Sequence, residues 1–301
     1  MQINVIPERL RRHEIPGRVE IVNGHGQLPL VKIRTPWSAA EIYLHAAHVT
    51  GFQKNGEPPL LFVSAKSYSA DSKAIRGGVP ICFPWFGPRE GEPAHGFVRF
   101  TAWELVKTVA APDGTVTVHF ALPETPGREA WKSLRTEFVV TVGEALTLEL
   151  VATNESADKT LAIENCLHTY FQVGDISAVS LAGLAGAPFD DFAFGAGGAR
   201  RNGDPAPLRI TQETNRVYPD HTAAVEIHDE KLKRTIRVEK SNSKSTVVWN
   251  PWTTQKMPED WGQNEHLQMV CVESGNVKQD KLSLAPGKSS ALKVVLSSAA
   301  V

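Results

Sequence analysis

Long apolar runs, paired cysteines and an excess of one charge are all missing from this chain. No stretch reaches the roughly 18 apolar residues that a membrane-spanning helix needs, and the opening MQINVIPERLRRHEIPG has no apolar run to act as a secretion signal. The three cysteines, Cys82, Cys166 and Cys271, lie far apart and form no C-x-x-C. That excludes a disulfide scaffold and fits a reducing cytoplasm, and their apolar neighbours mark them as core packing. Lys and Arg number 32 against 33 Asp and Glu, a formal net charge of −1, so nothing in the global charge favours nucleic acid or an anionic membrane as partner. Phosphate-loop, dinucleotide-binding and serine-hydrolase signatures are absent as well. His45 and His48 form H-x-x-H, but a strand would point them to opposite faces, and no cluster has the spacing of zinc ligands. No metal and no cofactor are expected. The Asn154-Glu155-Ser156 match to a glycosylation acceptor reads as chance without a secretion signal.

What the chain does have is alternation with period two, interrupted by Gly, Pro, Asn and Asp. In TVTVHFAL, Val116, Val118 and Phe120 share one face, and in ALTLELVAT, Leu146, Leu148 and Leu150 do the same. TAAVEIHD, RTIRVEK, STVVWN, LQMVCVE and ALKVVLS continue the series. These are half-buried strands, and many strands with few helices predict an all-β, large antiparallel β-sandwich. Only segments near Ala65–Ile75 and Pro258–His266 could hold a helical turn or two. With 301 residues and 42% hydrophobic content, one large domain over 1–301 is expected. Within it, the Gly-rich FGAGGARRNGDPAP forms a long loop, and about the first 20 residues form an irregular surface arm.

Five segments do not read as ordinary sandwich. RGGVPICFPWFGP (residues 76–88) combines Arg76 with glycines that permit close backbone approach and prolines that fix a rigid path. AHGFVRF carries His95 and Arg99. ENCLHTYFQVGD carries His168 beside Tyr170 and Phe171, with Asp175 as a turn residue. VVWNPW holds Trp249 and Trp252, and CVESGNV ends an apolar strand on Glu273. Together they make the chain similar to the aldose 1-epimerase (galactose mutarotase-like) superfamily, and within it to the hexose-6-phosphate mutarotase, or glucose-6-phosphate 1-epimerase, branch. The resemblance runs from about Val31 to Leu296.

The resemblance implies an isomerase that interconverts the α and β anomers of a hexose 6-phosphate, acting as a monomer on a small-molecule substrate. Anomer exchange needs a base for the anomeric hydroxyl and an acid for the ring oxygen, and the two swap roles on the return. On that basis His168 resembles the general acid and Glu273 the general base, whose strength burial would raise. His95 resembles the histidine that holds a sugar hydroxyl or the ring oxygen. Arg76 and Arg99 match the two phosphate-binding arginines, whose planar fork grips phosphate oxygens in pairs. Where the family often reads T-D-R-V-Y, this chain has ETNRVY. Asn215 can bind a sugar hydroxyl but cannot orient a protonated histidine by charge. Trp249, like Trp85 and Trp252, could stack on a sugar or seal a sandwich edge.

Two other readings stand beside this one: an epimerase of unphosphorylated aldoses, and a non-catalytic carbohydrate-binding sandwich. Arg76 and Arg99 facing one pocket would favour the phosphorylated substrate. His168 and Glu273 on opposite sides of a sugar-sized gap would favour an enzyme.

Overall fold

The computed structural model describes residues 5–301. Two eight-stranded sheets and a four-stranded sheet account for most of it, with neighbouring strands antiparallel throughout. One eight-stranded sheet shows the simple alternation its sequence predicts. In Leu134–Val142 the odd positions of the run are buried, and its partner Leu146–Asn154 buries Leu146, Leu148, Leu150 and Ala152. The two strands meet in register from Val142↔Leu146 to Leu134↔Asn154, so both apolar faces enter the same core.

The second eight-stranded sheet carries the motif segments. Its central strand, Met269–Asn276, is buried at every position. Val270 and Val272 join the main core, whereas Met269 and Cys271 join a smaller cluster with Phe62, Tyr170 and Trp261. Glu273 falls on the face of Met269 and Cys271, away from the main core. The main core itself draws Leu146, Ile236 and Leu296 from one sheet and Val248, Val270 and Val272 from the other. The two sheets thus sandwich a single apolar layer.

Several local expectations need correction. Residues 65–75 contain turns and no helix. Two of their backbone N–H groups go to side chains, Ala65 to Glu265 Oε1 at 2.9 Å and Lys66 to Ser64 Oγ at 3.2 Å, and the Arg76 N–H goes to Ser67 Oγ at 2.9 Å. In the second candidate segment only Glu265–Gln268 is helical, as a 3₁₀ turn. The Gly-rich segment is not all loop: Ala199–Arg201 pairs with Phe189–Asp191 at the sheet edge, and Arg200 meets Asp190 at 3.0 Å. Of the expected N-terminal arm, residues 1–4 lie outside the described residues. The remainder forms one helical turn, Glu8–Arg11, and buries Ile6 and Leu10 against the main core. Asn154 is buried, its amide bonded to the carbonyls of Lys159 and Leu284, so it is no glycan acceptor.

Candidate active site

Register builds the site. Along one row across the second sheet, Asn215 faces Trp249, Trp249 faces Cys271, and Cys271 faces Tyr170. The next row runs Val217, Val247, Glu273. On the far side of Glu273, Leu167 is opposite Ser274 and Tyr170 is opposite Cys271. His168 sits in the short break between Asn165–Leu167 and Tyr170–Gln172, and this unbroken register puts it directly across from Glu273. Cross-strand partners point to the same face, and His168 Nε2 lies 3.2 Å from Glu273 Oε1.

His168, Glu273, Arg76, His95, Arg99, Asn215 and Trp249 all line one cleft of about 360 Å³, within the range of small-molecule sites. A larger cleft of about 890 Å³ lies beside residues 7–12; His45 lines it, but no residue of the five motif segments does. Chemistry, not size, selects the smaller one. Trp85 and Trp252 do not line it. Trp85 is buried with its indole N–H on the Pro93 carbonyl, and Trp252 packs against the main core, so these two seal the fold.

Aromatic side chains wall in His168 and Glu273. The His168 ring stacks on Tyr170 with centroids 4.8 Å apart and an 11° tilt, and Trp249 approaches it edge-on at 6.1 Å. Glu273 is 1% exposed. Burial pushes the Glu273 carboxyl well above its ordinary pKa and His168 well below its own, since each charged form loses water. Both shifts favour the uncharged forms, and two groups in such close contact titrate as a unit. The expected sugar-sized gap between them is absent.

The loop of residues 76–88 reaches the cleft through close backbone contacts. Gly77 and Gly78 both have positive φ, and a Cβ on either would lie 2.3–2.4 Å from the carbonyl oxygens of Phe62 or Val49. His48 secures this turn, its Nε2 2.7 Å from the Gly77 carbonyl, while His45 bonds the Lys73 carbonyl at 2.7 Å. Each His of the H-x-x-H pair thus serves a backbone carbonyl. Burial pushes His48 down to about 4 from an ordinary 6.5. Its contribution to stability is complete above pH 6.5 and is lost as pH falls, because the unfolded chain takes up the proton first. By pH 4 this costs about 3 kcal/mol. Melting temperatures between pH 7 and pH 4 should fall accordingly, and His48→Gln, which keeps a donor for the Gly77 carbonyl, should flatten that slope.

His95, at φ +65°, accepts the Gly87 N–H at Nδ1 over 3.3 Å, which leaves Nε2–H as its free donor. Burial, with Arg99 and Lys278 nearby, pushes His95 down to about 3, so it donates as a neutral imidazole. Its ring nitrogen shifts should not titrate between about pH 5 and 8 in ¹⁵N NMR.

The arginines differ in kind. Arg76 Nε is 2.9 Å from the buried Asp260 carboxylate. Arg99 has no ion pair among the described residues, its buried Nε lacks any hydrogen-bond partner, and its guanidinium lies 5.3 Å from the Phe100 ring centroid. Sequence reasoning missed Asp260 and also Lys278, whose ammonium sits 5.4 Å from the Phe192 ring centroid in the same cleft. Nothing in the local sequence marks Lys278, because a backbone contact places it: its N–H, like that of Phe86, donates to the Glu164 carboxylate. The charged lining is Arg76, Arg99, Lys256 and Lys278 against Glu273 alone, a cleft suited to an anion. The cysteines are also closer to the site than their packing character suggests. Cys166 Sγ lies 3.5 Å from Glu273 Oε2, and Cys271 joins His168 and Glu273 within 4.8 Å.

The aldose 1-epimerase family model matches residues 29–297. A Salmonella typhimurium protein named "Putative glucose-6-phosphate 1-epimerase" is 33% identical over 258 residues, covering 82% of this chain and 83% of its own. A protein of the same name from Cenchrus ciliaris is 31% identical over 268 residues, covering 86% and 80%. The crystal structure of a "putative mutarotase" from Salmonella typhimurium matches with a TM-score of 0.87 at 27% identity, covering 96% of both chains. No helix of the described residues is long and apolar enough to cross a membrane.

Proposed function

The chain belongs to the aldose 1-epimerase family, and from this we infer that it interconverts the α and β anomers of a hexose 6-phosphate with His168 and Glu273 as its acid–base pair. Epimerase activity follows from the family. The substrate named for its relatives suits a cleft with unpaired cations, and the contact between His168 and Glu273 is the observation that carries the chemistry.

When a sugar donates its anomeric hydroxyl to Glu273, that hydrogen bond favours the carboxylate, and the shared proton moves across the 3.2 Å contact to His168. Glu273 then takes the O1 proton while His168 Nε2 gives its proton to O5, and the C1–O5 bond breaks to an open-chain aldehyde. Rotation about C1–C2 presents the other carbonyl face. His168 recovers the proton from O5 as the bond re-forms, and Glu273 returns one to O1. Protons balance within the pair, and no covalent intermediate is required. His95, through Nε2–H, and Asn215 are placed to hold sugar oxygens, and Trp249 offers a ring face beside them. Arg99, Arg76 and Lys278 meet the phosphate, with Asp260 fixing Arg76 through Nε and leaving the terminal nitrogens of its fork for oxygen.

Anomer-exchange NMR of glucose 6-phosphate and of glucose, with and without the protein, tests this reading. Exchange should accelerate for both and far more for the phosphorylated sugar; no acceleration for either would reject it. We further propose one cooperative domain that acts as a monomer in the cytoplasm. Its shared core supports the first, and three free thiols suit a reducing compartment. A single melting transition and light scattering at the mass of one chain would support the domain and the monomer.

A further inference from the structure

Glu273 is a buried carboxyl group with few partners. Oε1 meets His168, and among the described residues Oε2 has a single hydrogen-bond donor, the Cys166 thiol at 3.5 Å. Among the described residues, no backbone N–H, lysine or arginine bonds either oxygen. Two further thiols adjoin: Cys82 pairs directly with Cys166 across the strands, and Cys271 lies on the same face of the strand as Glu273. Tyr170 stacks on His168, and Arg99 is the cation whose field reaches both.

A base in this setting has two requirements. Its carboxylate must be aimed, because an unanchored Oε2 could rotate away from the anomeric hydroxyl. It must also remain basic: an arginine or several N–H donors would hold it ionised and weaken its pull on a proton. A thiol is a weak donor and packs as a small apolar group, so it meets both requirements. Alanine or valine at 166 would leave Oε2 with no donor.

We propose that Cys166 is a positioning residue whose S–H···Oε2 hydrogen bond aims the Glu273 carboxylate and tunes its affinity for the transferred proton. This rests on the reading of Glu273 as the base. Cys166 is the one donor that favours the ionised form of Glu273 against burial.

The test reads the Glu273 carboxyl directly, by ¹³C NMR of protein labelled at glutamate carboxyls, with Glu273→Gln identifying the resonance. Cys166→Ala should raise its titration midpoint by about 0.5–1 pH unit, as expected for one lost hydrogen bond. Cys166→Ser, which restores a stronger donor, should lower the midpoint below the wild-type value. Thermal melts report folding, and opposite shifts from two substitutions of similar size would not arise from a packing change. The kcat–pH profile of each variant should follow its NMR midpoint. If Cys166→Ala and Cys166→Ser both titrate like wild type, Cys166 only fills space and the proposal is overturned. If the NMR midpoint moves but the kcat profile does not, the hydrogen bond stands and the assignment of Glu273 as base is what fails. Should Cys166→Ala not fold, the Cys166→Ser midpoint decides: a shift downward supports the proposal, and an upward shift or none overturns it.

Discussion

Glu273→Gln is expected to lower turnover by about 10²–10⁴-fold while leaving sugar phosphate binding nearly intact. The amide keeps the shape of the carboxyl and can still face His168 Nε2 across the 3.2 Å contact. It cannot take the O1 proton, and it removes the single proton that the pair exchanges. Binding should survive because the cations lie elsewhere in the cleft, on Arg76, Arg99 and Lys278. Saturation-transfer NMR between the anomeric signals gives the rate, and calorimetric titration with glucose 6-phosphate gives the affinity. Wild-type exchange in the variant would place the base on another residue. The substitution should not unfold the protein, since burial already favours the uncharged form of this side chain.

Arg99→Ala is expected to separate the two substrates. It should reduce kcat/KM for glucose 6-phosphate by two or more orders of magnitude beyond any loss on glucose. Charge-assisted hydrogen bonds contribute about 1.5–3 kcal/mol each, and about 1.4 kcal/mol corresponds to a factor of ten. Among the described residues no carboxylate pairs with Arg99, so a phosphate would be its first counter-ion in a partly buried site. Arg76→Ala should act in the same direction but less strongly, because Asp260 already neutralises much of that charge. Removing Arg76 also strands a buried carboxylate, which adds a stability loss that melting curves would report. Equal loss on both sugars in a well-folded Arg99→Ala protein would point to an unphosphorylated aldose as the substrate.

Alternation in runs such as Leu134–Val142 and Leu146–Asn154 was enough to specify strands and their buried faces, because that signal is local and has a period of two. The motif segments, with ETNRVY, also contain seven of the residues that line the cleft. Other features depended on long-range pairing. Met269–Asn276 is buried on both faces, so its hydropathy does not show that Glu273 shares a face with Cys271 and not with Val272. That His168 touches Glu273, where a gap was expected, follows from a register set by Leu167↔Ser274 and Tyr170↔Cys271. The thiol beside the carboxylate, the ion pair of Arg76 with Asp260 and the ammonium of Lys278 join segments distant in the chain. The sequence by itself determined the strands, the family and the residue types of the site. Tertiary structure alone decided which of those residues touch and which of them lose their water, because pairing register and burial are properties of the assembled sheets.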